Sequence, residues 1–319
     1  MKIFRAAGEI PAGLGPSVVT IGNFDGVHAG HRAIMRRAVE IAGARGLLPV
    51  AMTFDPHPAQ VLAPQRAPKL LMTISQRLRN IEAAGIGAVW LCRFSPDFAK
   101  LTPEQFARDV LSRKLQARVV LVGEDFRFGC GQSGSFATLR ELGDKFGFTV
   151  EGVGGAAGVG RRGARVSSTA IRNLIAEGQV SRACRMLGSP FAIEGEVVRG
   201  HGIGSKQTVP TLNLKPFNEI LPRQGVYVTR ARELNGAREW ASITNVGMRP
   251  TFDGAELTVE TFLLDPLDGA TPEKIEVSFL YFVRDEKKFP AAEALKAQIM
   301  RDIGLAARLH RRLRRRARA

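Results

Sequence analysis

The first half of the chain takes its fold from the β-branched stretch Val18–Ile21 and the run Gly22-Asn23-Phe24-Asp25-Gly26-Val27-His28-Ala29-Gly30-His31 that follows it. A helix-patterned segment begins at Arg32, so this region predicts a strand, a glycine-bearing turn and a helix. The first N–H groups of a helix lack intrahelical partners and lie at the positive end of its dipole. His28 and His31 are three residues apart and project toward one side. The run therefore predicts a phosphate site at a helix N-terminus.

The two imidazoles indicate which phosphate chemistry such a site performs. A histidine can hydrogen-bond nonbridging oxygens and stabilise the charge that develops when a phosphate oxygen attacks an α-phosphorus. We therefore expect nucleotidyl transfer, with Gly22, Asn23, Phe24, Asp25 and Gly30 at the nucleotide. Half of a zinc site is the alternative interpretation, but the three cysteines of the chain lack CxxC spacing.

Length and composition favour a globular enzyme of two domains. The chain has 319 residues and is 45% hydrophobic. No apolar stretch reaches the length of a membrane span, and residues 1–5 are not followed by a signal-peptide core. The three cysteines are odd in number and irregularly spaced, which fits a reducing compartment. We expect a cytoplasmic protein without a membrane partner.

Seven units of the formal net charge of +16 lie in a short C-terminal stretch, which leaves +9 for the rest of the chain. Seven arginines lie there, at positions 308, 311, 312, 314, 315, 316 and 318. We expect residues 306–319 to be a basic, solvated and frayed tail that makes at most weak contact with nucleic acid. The remaining positive charge suits substrates that are polyanions.

Strands and helices alternate through the first half. Strands are predicted at residues 18–21, 48–54, 88–92 and 118–122, and helices at 32–45, at 75–84 and from Pro103. Thr102 and Gln105 have the spacing of a capping box. The alternation predicts a Rossmann-like α/β domain, whose parallel sheet binds ligands at the carboxyl ends of its strands. A glycine-rich, mobile loop at 152–163 and two short helices complete this domain, 1–188, at the breaker Gly188-Ser189-Pro190.

The pattern changes after residue 188. Short strands are predicted near residues 197, 225–228, 240–244, 257–264 and 275–283, with one helix at 291–303. This pattern predicts an antiparallel β-barrel carrying a single helix, over residues 189–305.

The second domain contains its own phosphate candidate in the run from Gly200 to Asn213. It is not a Walker A motif, because Ser205 stands where a glycine is required before the lysine. Gly202 and Gly204 still let backbone amides approach a phosphate, and Lys206 supplies a positive charge.

Two oxygen ligands follow this loop. Thr211 and Asn213 alternate in an extended segment and face the same way. A hydroxyl and an amide oxygen suit a Mg²⁺ ion that bridges ATP phosphates.

Glu260 is the general-base candidate, because an ionisable residue in an apolar strand is costly unless it is paired or lies in a cleft. The alternative is an outward-facing residue of an alternating strand.

A motif further along the chain also supports nucleotidyl transfer. Together, the run at His28 and Ser167-Ser168-Thr169-Ala170-Ile171-Arg172 resemble the HxGH and SSTxIR motifs of the nucleotidylyltransferase superfamily. Taken alone, the second motif could simply cap the helix that follows it.

The order of motifs, including Phe54-Asp55-Pro56-His57-Pro58 and Val122–Gly129, resembles the bifunctional bacterial riboflavin kinase/FAD synthetase family over nearly the whole chain. The resemblance implies an FMN adenylyltransferase-like domain joined to a riboflavin kinase-like barrel. The family usually has Gly-Phe before Pro-Thr-x-Asn, where this chain has Thr208-Val209, and an arginine in a loop where this chain has Lys206.

The resemblance also implies roles for single residues. It assigns His28, His31, Ser168, Thr169 and Arg172 to ATP phosphates, and it places Phe54, His57, Asp125 and Phe128 near the flavin or nucleotide. It implies Mg²⁺ at Thr211 and Asn213, and it makes Glu260 the base for the terminal hydroxyl of riboflavin. The expected small molecules are therefore riboflavin, FMN and ATP, with Mg²⁺ as cofactor.

Two other functions remain open from the residues. One is an adenylyltransferase for a nicotinamide or pantetheine phosphate, carrying a non-catalytic barrel. The other is an RNA- or regulator-binding protein that retains a degenerate enzyme fold and uses its arginine tail.

Overall fold

A computed structural model describes residues 1–154, 166–198, 211–251, 254–287 and 289–318. The chain forms two compact units, the first of Met1–Leu70 with Ile74–Ser168 and the second of Leu71–Thr73 with Thr169–Ala319. Most of the glycine-rich loop predicted at 152–163 lies outside the described residues. The domain limits 1–188, 189–305 and 306–319 stay a prediction.

The first unit is built on a parallel sheet. Its strands are β1 Lys2–Phe4, β2 Ser17–Ile21, β3 Leu48–Phe54, β4 Ala88–Cys92, β5 Ala117–Gly123 and β6 Thr149–Val153. They lie in the order β1-β4-β3-β2-β5-β6, and every neighbouring pair is parallel. β2 and β4 are buried at every position, as strands covered on both faces must be. The predicted α/β fold with a parallel sheet is confirmed.

Helices surround this sheet. They are α1 Ala29–Arg45, α2 Pro58–Leu62, α3 Ile74–Ala83, α4 Pro96–Ala99, α5 Pro103–Gln105 and α6 Phe136–Phe146, with 3₁₀ turns at Ala7–Glu9, Pro64–Arg66 and Cys130–Gln132. α5 continues as a π-helix over Phe106–Lys114. The predicted capping box of Thr102 and Gln105 is confirmed. Sequence patterns missed β1, which has three residues, and β6, in which Glu151 and Gly152 interrupt the apolar pattern.

The strand order places a ligand crevice beside β2. The chain passes from β2 to β3 and β4 on one side, and then to β5 and β6 on the other. In open parallel sheets such a switch point leaves a crevice at the carboxyl ends of the strands. β2 ends at Ile21 and β5 ends at Gly123, so the run Gly22–His31 and the segment that contains Asp125 both begin at this crevice.

The second unit is a closed antiparallel barrel with helices. Its strands are β7 Phe191–Val198, β8 Thr211–Pro216, β9 Gly225–Glu233, β10 Glu239–Thr251, β11 Gly254–Leu263 and β12 Lys274–Arg284. They close in the order β10-β11-β8-β7-β12-β9. Its helices are α7 Ser168–Ala176, whose first residue belongs to the first unit, α8 Val180–Leu187 and α9 Ala292–Arg318. The predicted barrel is confirmed.

The predicted frayed tail is wrong, because α9 continues through the arginine-rich segment to Arg318. Ala306 is fully buried among Val226, Val228 and Ile243. Further along, the His310 Nε2 lies 3.4 Å from the carbonyl oxygen of Ser242. An apolar stripe at helical spacing runs beneath the arginines, and packing against the barrel outweighs their mutual repulsion.

In the part of the chain that the structure describes, no helix of either unit has both the length and the apolar character of a membrane span.

The packing of α9 leads to a stability prediction. Ala306→Asp places a carboxylate at a fully buried position, so we expect the free energy of unfolding of the second unit to fall by roughly 3–5 kcal/mol. Ala297→Asp is the matched control, because Ala297 is an exposed residue of the same helix. Urea unfolding in a Trp90→Phe background measures the effect, since Trp240 is then the only tryptophan left of two. Equal losses in both variants would contradict the packing of α9.

Candidate active sites

The turn between β2 and α1 has an unusual backbone. Phe24, Gly26 and Val27 have φ angles of 48°, 87° and 37°. Residues other than glycine rarely adopt this backbone region, and a β-branched residue does so only where its surroundings enforce it. The neighbouring strand holds the turn: the Gly22 N–H donates to the Met52 carbonyl at 3.1 Å, and the Thr53 hydroxyl donates to the Asn23 carbonyl at 3.1 Å.

His28 caps the helix that follows. Its Nδ1 accepts a hydrogen bond from the His31 N–H at 3.3 Å. The sequence predicts that the first N–H groups of this helix are free to bind a ligand, but this one is already hydrogen-bonded within the protein. The His28 and His31 rings stack with centroids 3.7 Å apart, which confirms that both project to one side. A Cβ on Gly30 would lie 3.2 Å from the His28 ring, so glycine leaves room for this stack.

Both imidazoles are held neutral. Burial lowers the pKa of His28 to about 4, although the nearby Asp25 charge opposes the shift. Burial also lowers the pKa of His31 well below its ordinary value, and the charges of His28 and Arg77 act in the same direction. Because the His28 Nδ1 accepts a hydrogen bond, the proton of its neutral ring lies on Nε2. The site therefore presents an uncharged N–H donor at the start of α1.

The downstream serine motif reaches this turn. The Ser168 hydroxyl donates to the Asp25 carbonyl at 2.8 Å, which joins two motifs that are 143 residues apart in the sequence. Both partners belong to the first unit. Thr169 and Arg172 lie on α7 and belong to the second unit.

The predicted flavin residues fall into two groups. Phe54 and Phe128 are joined by ring contacts through Phe98 and Phe106, with successive centroids 6.2, 6.2 and 5.5 Å apart. These two intermediate phenylalanines, together with Phe94 and Phe126, were missed, because nothing in their spacing separates them from core residues. Phe106 and Phe128 are buried in the core of the first unit, whereas Phe54 and Phe98 are only partly buried at its border.

The polar members of the predicted flavin set differ in their surroundings. His57 is buried and caps α2, where its Nδ1 accepts from the Ala59 N–H at 3.1 Å. Asp125 is exposed just after β5.

The second candidate site lies on the barrel. Asn213 and Glu260 are directly paired across β8 and β11, and Glu260 is also paired with Asn245 on β10. Thr211 lies two residues before Asn213 and therefore on the same face. These side chains are half-buried on the outer face, because the alternating residues such as Leu212 point into the barrel. Sequence analysis missed Asn245, which only the strand register brings into this row.

The row on the barrel carries oxygen donors of the types that Mg²⁺ prefers. Hydroxyl, amide and carboxylate oxygens on one sheet face are the donor set for this ion. The predicted phosphate-loop residues Gly202, Gly204 and Lys206 lie outside the described residues. At the first site, no third His, Cys, Asp or Glu joins the two histidines in a metal-holding group within the described ranges.

Together these features define a two-site phosphate-transferring enzyme, and comparison with known proteins identifies the family. Residues 11–170 match the FAD synthetase family, and residues 187–310 match the riboflavin kinase family. The bifunctional riboflavin kinase/FMN adenylyltransferase of Escherichia coli (strain K12) is 36% identical over 285 residues, which cover 89% of this chain and 90% of that protein. The protein of the same description from Pseudomonas fluorescens is 34% identical over 290 residues, 91% of each chain. This chain belongs to the bifunctional riboflavin kinase/FMN adenylyltransferase family.

A solved structure extends the likeness over nearly the whole chain. It is a crystal structure described as a macrolide-efflux protein from Streptococcus pneumoniae, with a TM-score of 0.83 and 28% identity. The likeness covers 96% of this chain and 98% of that one.

The protonation state of His28 is directly testable. Asparagine can also cap a helix but does not titrate, so His28→Asn keeps a helix cap while it removes the ionisation together with the ring that stacks on His31. We expect the wild-type ring to titrate near pH 4 in NMR spectra of ¹³C-labelled histidine, with the signal assigned by its loss in the variant.

The same pKa predicts a pH dependence of stability. The folded-state pKa of His28 lies below its ordinary 6.5, so the unfolded chain binds more protons. The contribution of the neutral His28 ring to the free energy of unfolding is complete above pH 6.5 and is lost as the pH falls toward 4. Between about pH 7 and about pH 4.5, the free energy of unfolding should fall more in the wild type than in His28→Asn. Equal decreases would contradict a buried, neutral His28.

Proposed function

We propose that this chain converts riboflavin to FAD in two ATP-dependent steps. The second unit transfers the γ-phosphoryl group of ATP to riboflavin and forms FMN. The first unit then transfers AMP from a second ATP to FMN, forming FAD and releasing pyrophosphate. Family membership supports both steps. The observation that carries the second step is the neutral, stacked histidine pair at the start of α1, joined through the Asp25 carbonyl to Ser168.

Adenylyl transfer needs charge stabilisation and positioning but no nucleophile from the protein. An FMN phosphate oxygen attacks the α-phosphorus of ATP, and the bond from that phosphorus to pyrophosphate breaks. The Nε2–H of His28 and the ring of His31 would donate to the nonbridging oxygens. Residues 22–26, with Gly30, would line the nucleotide.

Two further groups would complete the first site. Ser168, Thr169 and Arg172 would contact the ATP phosphates. The flavin is proposed to lie near Phe54, His57, Asp125 and Phe128, where aromatic rings and polar groups alternate.

The kinase step would use the row of polar residues on the barrel. Glu260 would accept the proton of the terminal riboflavin hydroxyl as its oxygen attacks the γ-phosphorus. Thr211 and Asn213 would hold a Mg²⁺ ion, which spreads the negative charge of the leaving diphosphate. Gly202, Gly204 and Lys206 are proposed to contact the ATP phosphates.

Two properties of the whole chain complete the proposal. All three cysteines are free thiols, which supports a reducing, cytoplasmic location. Arginines at positions 308, 311, 312, 314 and 315 are exposed on α9, where they would allow weak contact with polyanions such as nucleic acid.

Incubating the purified chain with riboflavin, ATP and Mg²⁺ and separating the flavins tests both steps. The wild type should form FMN and FAD. The double variant His28→Ala with His31→Ala should accumulate FMN with little FAD, because only the adenylyl site is altered. Glu260→Gln should form no FMN, yet it should convert supplied FMN to FAD.

In each variant, the activity that should persist reports whether the protein is still folded. Normal FAD yield from the histidine variant would refute the assignment of the first unit. Normal FMN yield from Glu260→Gln would refute the proposed base.

The helix start offers a finer test in which a single methyl group is added. Gly30→Ala puts a Cβ against the His28 ring, so we expect FAD formation to fall by about tenfold while FMN formation is unchanged. Gly43→Ala is the matched control in the same helix, since no heavy atom lies within 4 Å of the new methyl. It should stabilise the protein by about 1 kcal/mol and preserve both rates. Unchanged FAD formation in Gly30→Ala would show that the His28 ring position does not matter.

A further inference from the structure

Arg77 on α3 is completely buried in the first unit, with no exposed surface. Arginine is almost never fully buried, because removing its charge from water is costly. Its Nη1 donates to the carbonyl of Phe54 at 2.9 Å. Phe54 is the last residue of β3, so the guanidinium binds the backbone at the carboxyl edge of the sheet.

Independent contacts place this arginine beside the adenylyl site. Asn80 lies three residues after Arg77 and therefore on the same face of α3. The Asn80 side-chain oxygen accepts a hydrogen bond at 2.9 Å from Arg32, which follows His31 in the first turn of α1. The face of α3 that carries Arg77 thus packs toward the start of α1.

The charge of Arg77 acts on His31. Burial makes the largest contribution to the low pKa of His31, followed by the positive charges that His28 and Arg77 can carry. The carboxylate of Asp25 lies in the same turn and acts on His28 in the opposite direction. His28 is itself neutral near pH 7, so Arg77 is the permanent charge of these groups that disfavours a second proton on His31.

We propose that Arg77 is a positioning residue for adenylyl transfer, whose buried guanidinium binds the backbone at the end of β3 and whose positive charge acts on the start of α1. The inference rests on the proposed function of the first unit. A neutral ring donates through one nitrogen only, so the hydrogen-bond pattern offered to the phosphates stays constant as the pH changes. The permanent positive charge also favours binding of a polyphosphate nearby.

The test compares FMN-to-FAD rates across about pH 5 to 8 in variants that separate charge from packing. Arg77→Lys keeps the positive charge, whereas Arg77→Met and Arg77→Gln remove it. Arg36→Met, at an exposed position of α1, is the control for loss of a surface charge. Riboflavin-to-FMN conversion in the same samples reports whether the protein is intact. The titration of the His31 ring is followed by NMR.

We expect both uncharged variants to lose about tenfold or more in FAD formation at neutral pH, with riboflavin-to-FMN conversion unchanged. Because burial is the larger cause of the low pKa of His31 and remains in these variants, the His31 titration should move up only in part, and a pH-dependent step in the FAD rate should appear at the acidic end of the range. Arg77→Lys should restore most of the rate and the level profile. Arg36→Met should match the wild type.

Three outcomes would overturn the inference. One is a level pH profile and an unmoved His31 titration in an uncharged variant that still forms FMN. Another is equal loss in Arg77→Lys and Arg77→Met, which would indicate a packing role alone. The third is loss of both activities in Arg77→Met and Arg77→Gln, which would make the residue structural. If the wild type itself forms no FAD from FMN, the proposed function of the first unit fails instead.

Discussion

The turn between β2 and α1 is the constraint on which the first unit depends. Its backbone passes through the left-handed region at three positions, including a β-branched and fully buried valine. Hydrogen bonds from β3 and from Ser168 hold the turn in this conformation. Strain of this kind persists where surrounding structure enforces it, commonly at sites that must present groups in one geometry. Here the groups presented are two stacked imidazoles and the start of a helix.

The two candidate sites handle phosphate in different ways. The first unit presents neutral rings at a helix start, and in the proposed reaction they would meet negative charge without a carboxylate acting as a base. The barrel instead arranges hydroxyl, amide and carboxylate oxygens in a row across β8, β11 and β10. The first arrangement stabilises charge through hydrogen-bond donors, whereas the second suits a divalent cation.

Local patterns predicted most of the fold, and the failures have physical reasons. The β-branched run before Gly22 and the capping box at Thr102 depend on neighbours in the sequence, and both were predicted correctly. The C-terminal segment was misjudged because its charge hides an apolar stripe that is stable only when packed on β9 and β10. Glu260 does face outward, as the simpler interpretation required, yet the strand register also pairs it with Asn213. No sequence pattern distinguishes Arg77 from an ordinary surface arginine of an amphipathic helix.

The sequence by itself determined the class of each half and the family, because strand and helix periodicities and the short motifs are local properties of the chain. It also identified the histidine pair, since residues three apart on a helix must meet. Only the tertiary structure decided the protonation of those histidines, the joining of Ser168 to the turn at Asp25, and the row that adds Asn245 to Glu260. These features depend on burial and on contacts between segments far apart in the chain. Desolvation and strand register exist only after those segments have packed.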